Sequence, residues 1–150
     1  MADLAEAIEQ QVAGWEAEHV TVAVRRGDGE ALVVGPVDHV YALASVTKLF
    51  TAVAALVAVE EGAIGLDTPA GPEGSTVEHL LAHASGLTFD GDTTLARPGT
   101  RRIYSNTGFE VLADTVARAS EIGFTTYATE AVLEPLGLAG TEPAGSPAAG

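Results

Sequence analysis

The 150-residue sequence contains no cysteine. A disulfide framework and thiolate chemistry are both excluded, because each of them needs a cysteine sulfur. Hydrophobic residues nevertheless make up 47% of the chain, which is enough to bury a real core. We therefore expect one folded domain rather than a disordered chain.

Positive charge is also scarce in this sequence. Seven Lys and Arg residues stand against 21 Asp and Glu residues, and the formal net charge is −14. Such a chain repels phosphate backbones and anionic lipid headgroups. We expect no nucleic-acid partner and no binding to an anionic membrane surface.

No apolar run is long enough to cross a bilayer, which takes ~20 residues. The longest such run follows Lys48 and ends at Glu60-Glu61, so it predicts a buried core helix instead. Residues Ala2 to Trp15 form an amphipathic acidic pattern rather than a basic and then apolar signal segment. A cytoplasmic location is expected, with export after removal of a signal as the alternative.

Hydrophobic periodicity predicts a helix, then a hairpin, then mostly helices. In the first part we expect a helix over Ala2–Glu18, strands over His19–Arg26 and Glu30–Gly35, and a third extended piece over His39–Leu43. The later helices are expected at Ser45–Glu61, Thr76–His83, Thr107–Ala119 and Phe124–Leu133. The core positions predicted on the third of these are Phe109, Leu112, Val116 and Ala119.

Ser45-Val46-Thr47-Lys48 begins the long apolar helix. Its serine and lysine are three positions apart, so their side chains share one helix face. A cation in a first turn is unfavourable by about 0.3–1 kcal/mol, and an apolar, electropositive surrounding favours the neutral amine that a base requires. The alternative is a helix cap beside a solvated lysine, and the short motif taken alone favours that alternative.

A second candidate motif, Tyr104-Ser105-Asn106, stands on a loop just before a helix. Its structural alternative is that Ser105 or Asn106 only caps that helix. Two histidines, His79 and His83, are four positions apart but lack the glutamate of H-E-x-x-H, so no metal site is indicated.

The two motifs together, in this order, resemble the serine β-lactamase and penicillin-binding-protein-like superfamily, most closely its class C branch. The similar stretches are Ala44–Thr51 (ASVTKLFT), Glu61-Gly62 with Leu66-Asp67, Leu80–Leu87 (LLAHASGL), Pro98-Gly99, Tyr104–Gly108 (YSNTG) and Pro135–Leu138 (PLGL). The resemblance implies an α+β fold of the β-lactamase/transpeptidase type. Residues 1–44 would form a helix and strands of an antiparallel sheet, 45–140 a mostly helical lobe and 141–150 a flexible tail.

The resemblance also implies roles for individual residues. Ser45 would be the nucleophile that forms an acyl-enzyme, and its backbone N–H would be one oxyanion donor. Lys48 and Tyr104 would together take the serine proton and pass it to the leaving group, and the family does not settle which of the two is the base. Asn106 would bind substrate and orient Lys48, and His83 would be a packing residue. No metal or organic cofactor is implied.

Four of the seven basic residues lie in or just before the two motifs: Lys48, Arg97, Arg101 and Arg102. We interpret Arg101 and Arg102 as a candidate site for a substrate carboxylate, and a solvated basic loop is the equally good alternative.

The sequence departs from the family in one respect, because no Lys-Thr-Gly or His-x-Gly triplet follows Asn106. That triplet lies on a strand that supplies the second oxyanion donor, whose loss costs on the order of 100-fold or more in rate. We therefore expect an N-terminal piece of the fold without its C-terminal strands, either a fragment or one chain of a nicked or split enzyme. Together with the C-terminal half, it would act on a small acyl substrate. The alternative is a non-catalytic binding or assembly module that pairs its open strand edge with a partner.

Overall fold

The computed structural model describes residues 2–141, and these divide into two compact units, one up to Ala42 and one from Leu43 onwards. The elements are α1 (Ala2–Val12), β1 (Val22–Val24), β2 (Leu32–Val34), α2 (Thr47–Glu60), α3 (Val77–Leu81), α4 (Asn106–Ser120) and α5 (Phe124–Ala128). A 3₁₀ turn at Ala44–Val46 leads into α2, and a π-helical turn at Thr129–Leu133 follows α5. Of the predicted tail, residues 141–150, only Thr141 lies within the described residues.

The first unit consists of α1 and the predicted hairpin. Strands β1 and β2 pair antiparallel with Val22 opposite Val34, and α1 packs against β2. Both strands are shorter than predicted. Strand β2 ends before Gly35, where the backbone lies too close to the Val20 carbonyl oxygen for a side chain, and the following Pro36 has no N–H to pair. The predicted third extended piece, His39–Leu43, forms no strand in the described chain.

Helix α1 ends at Val12, six residues before the predicted Glu18. Gly14 is a poor helix former, and the following backbone turns instead of continuing the helix. The Trp15 N–H donates to the Val12 carbonyl at 3.0 Å, and the Ala17 N–H donates to the Trp15 carbonyl at 2.9 Å. The apolar spacing of Trp15 was therefore misleading about the helix end.

The second unit contains the hydrophobic core. Helix α2 packs against α4, α5 and the π-helical turn, and α3 packs against α4. The Tyr127 hydroxyl also donates to Glu61 Oε2 at 2.7 Å, which joins α5 to the end of α2. The side chains with 2% exposure or less in this core include Ala54, Ala55, Ala58, Val77, Leu80, Leu112, Val116, Ala128 and Val132.

The prediction that the central helix is a buried core helix holds for only one face of α2. Only the alanine face of α2 is buried, and Leu49, Val53 and Leu56 remain 67%, 44% and 50% exposed. These three residues recur at helical spacing, so they form one apolar stripe on α2. The pattern predicted an apolar helix, but it could not tell which face the neighbouring helices cover.

The predicted helices of the second unit are present with small differences. Thr76 precedes α3, and its N–H donates to His79 Nδ1 at 3.2 Å. On α4, Phe109, Leu112 and Val116 are buried as predicted, but Ala119 is exposed near the helix end. Among residues 2–141, no helix has the length and apolarity that a bilayer crossing requires.

Candidate active site

Ser45 lies in the 3₁₀ turn immediately before α2. The turn is tight, because Ala44 has a positive φ of 45° and the Thr47 hydroxyl donates to the Ala44 carbonyl at 2.6 Å. A positive φ is costly for alanine, and such strain is often retained where a side chain must be presented in one direction. Ser45 is exposed at this turn, and Lys48 follows in the first turn of α2.

Lys48 is half-buried, and its ammonium group is held by polar and aromatic neighbours. Its Nζ donates to Asn106 Oδ1 at 2.6 Å. The same nitrogen lies 4.9 Å from the ring centroid of Tyr104 and 6.0 Å from that of Phe109, which is within cation–π range. Lys48 forms no ion pair within residues 2–141. An amide oxygen and two ring faces therefore solvate the cation that the helix dipole disfavours.

Tyr104 meets both groups of the Ser-x-x-Lys motif. Hydrogen bonding to Lys48 first, and to Ser45 second, lowers the pKa of the Tyr104 phenol below its usual 10.0, although burial opposes this change. A nearby ammonium favours the phenolate because the opposite charges attract. The structure thus brings together the hydroxyl of Ser45, the amine of Lys48 and the phenol of Tyr104.

The segment that carries Tyr104 is fixed by Ser105 and Asn106. Ser105 is buried as the N-cap of α4, and its hydroxyl accepts from the Gly108 N–H at 2.9 Å. Its own N–H donates to His83 Nδ1 at 3.2 Å, while the Asn106 N–H donates to the Phe89 carbonyl at 2.7 Å. Ser105 is therefore a cap, whereas Asn106 faces Lys48.

His83 lies underneath the candidate site. It is 8% exposed, and its ring centroid is 4.5 Å from that of Tyr104 and 4.7 Å from that of Phe109. Burial first, then the charges of Arg102 and Lys48, lower the pKa of His83 below 6.5. Since Nδ1 accepts the Ser105 N–H, the neutral ring with its proton on Nε2 fits this position.

One residue at this site was missed in the sequence. The Asn106 side-chain nitrogen Nδ2 donates to Asp90 Oδ1 at 2.9 Å, so Asp90 is joined through Asn106 to Lys48. Asp90 lies in a loop that also contains Asp92, and no spacing rule links either of them to Lys48. A tertiary contact of this kind leaves no local signal in the sequence.

The predicted basic group is only partly assembled. Arg97, Arg101 and Arg102 are exposed, and within residues 2–141 the side chains of Arg101 and Arg102 form no hydrogen bond or ion pair. Arg102 lies close enough to His83 to influence its pKa. In the same described range, no group of three or more His, Asp or Glu side chains is arranged to hold a metal ion.

The fold and the site define a class of protein, an α+β domain with a Ser-x-x-Lys turn facing a tyrosine. The family model described as Beta-lactamase matches residues 4–149, and the chain belongs to this family. The described elements match an N-terminal part of the β-lactamase fold. The resemblance to the β-lactamase and penicillin-binding-protein-like superfamily is thereby confirmed.

Solved structures agree with this family assignment. A β-lactamase from Mycobacterium bovis is 56% identical with a TM-score of 0.79, over 87% of this chain and 48% of that protein. The octameric penicillin-binding protein homologue from Pyrococcus abyssi is 26% identical with a TM-score of 0.76, and the match covers 92% of this chain and 43% of that protein. The D-amino acid amidase from Ochrobactrum anthropi SV3 shares the fold, at 21% identity and a TM-score of 0.77. This match covers 91% of this chain and 50% of that protein. No curated protein matches the sequence. The chain spans about half the length of these solved relatives.

Proposed function

We propose that this chain carries the nucleophile of a serine hydrolase that acts through an acyl-enzyme on Ser45. One observation supports this most strongly: Lys48 Nζ donates to Asn106 Oδ1 at 2.6 Å and lies 4.9 Å from the ring centroid of Tyr104, and the proximity of Lys48 and then Ser45 lowers the pKa of the Tyr104 phenol. A hydroxyl next to an amine and a phenol of lowered pKa is an arrangement that activates a nucleophile.

In the proposed reaction, Ser45 Oγ attacks the acyl carbon of the substrate. Its proton passes to the Lys48 and Tyr104 pair, and this pair then gives a proton to the leaving group. Water hydrolyses the acyl-enzyme and restores the serine hydroxyl. The proposed substrate is a β-lactam, a D-amino-acid peptide or an ester, and the 56% identity to the M. bovis β-lactamase supports the first of these.

Full activity is proposed to need more of the family fold than this chain contains. The backbone N–H of Ser45 is one candidate oxyanion donor, and tetrahedral intermediates are stabilised best by two. The chain covers 48% of the M. bovis β-lactamase, and no family-type third motif follows Asn106. A C-terminal half, on the same or a second chain, would supply the second donor.

The test is intact mass after incubation with a fluorophosphonate or a penicillin, with and without an added C-terminal half. The wild-type chain should gain one adduct, and Ser45→Ala should gain none. Because the phosphorus of a fluorophosphonate is a more reactive electrophile than an acyl carbon, this probe needs less stabilisation from the pocket than a substrate does. Absence of an adduct in every wild-type sample would eliminate the hydrolase.

Arg101 and Arg102 are proposed to bind a substrate carboxylate. Both are exposed and both stand beside the Tyr104 segment, in a chain of net charge −14. The double change Arg101→Ala and Arg102→Ala should lower the rate on anionic esters relative to neutral esters. Arg118→Ala, on the outside of α4, is the matched control that should leave this ratio unchanged. An equal ratio in the double variant would reject the carboxylate site.

The second candidate function is a non-catalytic assembly module. The exposed apolar stripe of Leu49, Val53 and Leu56 on α2 favours it, because exposed apolar patches mark interaction sites. The adduct experiment separates the two candidates. A chain that forms no adduct with Ser45, yet still binds a C-terminal half, would be a module of this kind.

A further inference from the structure

The loop residue Asp90 is connected to the Lys48 ammonium through a single side chain. Lys48 Nζ donates to Asn106 Oδ1 at 2.6 Å, and Asn106 Nδ2 donates to Asp90 Oδ1 at 2.9 Å. Asn106 has an acceptor at one end of its amide and a donor at the other. The Lys48 ammonium is therefore attracted if the oxygen of the Asn106 amide faces it and repelled if the NH₂ group faces it.

A carboxylate settles that orientation because it only accepts hydrogen bonds. With Asp90 on one side, the NH₂ group of Asn106 must face Asp90 and its oxygen must face Lys48. The reversed amide would place an oxygen against a carboxylate and two N–H donors against an ammonium. Both reversed contacts are repulsive, so the two charged groups select the same orientation of Asn106.

The loop that carries Asp90 is anchored on α4 and on itself. The Thr88 hydroxyl contacts the carbonyls of Asp90 and Gly91 at 2.9 and 3.0 Å. The Gly91 N–H donates to the Thr107 hydroxyl at 2.9 Å, and the Asn106 N–H donates to the Phe89 carbonyl at 2.7 Å. Asp90 is exposed to solvent, yet its backbone is bonded on both sides.

We propose that Asp90 is a positioning residue that fixes the Asn106 amide and thereby holds the Lys48 ammonium against Tyr104. The inference rests on the proposed function, since it concerns the amine that would share the serine proton. Asp90 does not touch the reacting atoms. It acts by restricting Lys48 to the geometry in which Ser45 and Tyr104 are both within reach.

The first test needs no catalytic activity. Near-UV absorbance titration, with Tyr104→Phe as the reference that removes the Tyr104 signal, gives the pKa of the Tyr104 phenol. In Asp90→Ala and Asp90→Asn this pKa should rise towards 10.0, because a less restricted Lys48 stabilises the phenolate less. Asp92→Ala removes the same charge from the same loop and should leave the pKa unchanged. An unchanged Tyr104 pKa in both Asp90 variants would overturn the proposal.

The second test compares rate constants for fluorophosphonate labelling of Ser45. Asp90→Asn keeps the shape of the side chain but lets the Asn106 amide turn, so labelling should slow by about 10-fold, the size of a typical coupling between contacting residues. In an Asn106→Ala background, Asp90→Ala should cause almost no further loss. A purely structural role would leave Asp90→Asn close to wild type or give additive losses, and either result would overturn the proposal.

The two tests distinguish failure of the hydrolase proposal from failure of the positioning role of Asp90. If the wild-type chain is never labelled at Ser45, the hydrolase proposal fails, while the Tyr104 titration still decides the role of Asp90. If labelling occurs and neither Asp90 variant changes the labelling rate or the Tyr104 pKa, only the positioning role is wrong.

Discussion

The two units of this chain differ sharply in burial. Among the described side chains before Leu43, none is buried, although that unit contains a helix and a hairpin. The second unit holds all the buried residues among those described, and it also carries Ser45, Lys48 and Tyr104. Regular secondary structure is therefore present in both units, but within residues 2–141 only the second unit buries apolar side chains. The contacts of the candidate site join residues of the second unit, so we expect the site to depend on the packing of that unit.

The largest effect is expected from opening a cavity in the second unit. Leu112 on α4 is fully buried, so Leu112→Ala should lower the free energy of unfolding by about 2–5 kcal/mol. Val33→Ala, at a position 42% exposed on β2, should cost much less. Urea denaturation followed by far-UV circular dichroism measures both changes. Equal losses would contradict the contrast between the units.

A second prediction concerns the order in which the units unfold. Trp15 is the single tryptophan of the sequence, and it lies 53% exposed in the first unit. Regions with little buried apolar surface open at low free energy. Trp15 fluorescence should therefore change at lower urea than the far-UV circular dichroism, which is dominated by the helices of the second unit. Coincident midpoints would show instead that the chain unfolds as one cooperative unit.

A smaller effect is expected from His83, because it concerns one titrating group. Its pKa is lowered in the folded protein, so the unfolded chain takes up a proton first as the pH falls. The stability contribution of His83 is therefore present above its ordinary pKa of 6.5 and is lost as the pH falls below that value. Asn at position 83 keeps an acceptor at this place and tolerates the positive φ of 56°.

The measurement for His83 is the free energy of unfolding at several pH values between about 7.5 and 5.5, a range that brackets the ordinary histidine pKa. Wild-type stability should fall towards the acid end, and His83→Asn should fall less steeply. An identical slope in the two proteins would mean that His83 does not titrate differently on folding.

Local sequence rules predicted much of the second unit. The apolar spacing of Phe109, Leu112 and Val116 placed one face of α4 in the core, because burial selects residues at helical period. The same rules failed where the tertiary environment decides the outcome. They predicted α2 as a buried core helix, although Leu49 is exposed, and they extended α1 past Gly14.

In the candidate site, too, local neighbours were predictable from the sequence and tertiary contacts were not. Ser45 and Lys48 were predictable as neighbours because they share a helix turn, whereas the pairing of Tyr104 with them was predicted only through a family resemblance. Asp90 was missed, since 16 residues separate it from Asn106 and 42 from Lys48. Tertiary contacts between residues that are distant in sequence follow no helical or strand spacing, so local patterns cannot predict them.

The central claim is that the Lys48 amine acts on the phenol of Tyr104, and one titration tests it directly. Near-UV absorbance should show Tyr104 ionising below 10.0 in the wild-type chain, with Tyr127, whose pKa burial and Glu61 raise to about 12, as an internal reference. In Lys48→Met, which keeps a long apolar side chain without the charge, the pKa of Tyr104 should rise. A wild-type pKa of 10.0 or above, or one that Lys48→Met leaves unchanged, would contradict the account.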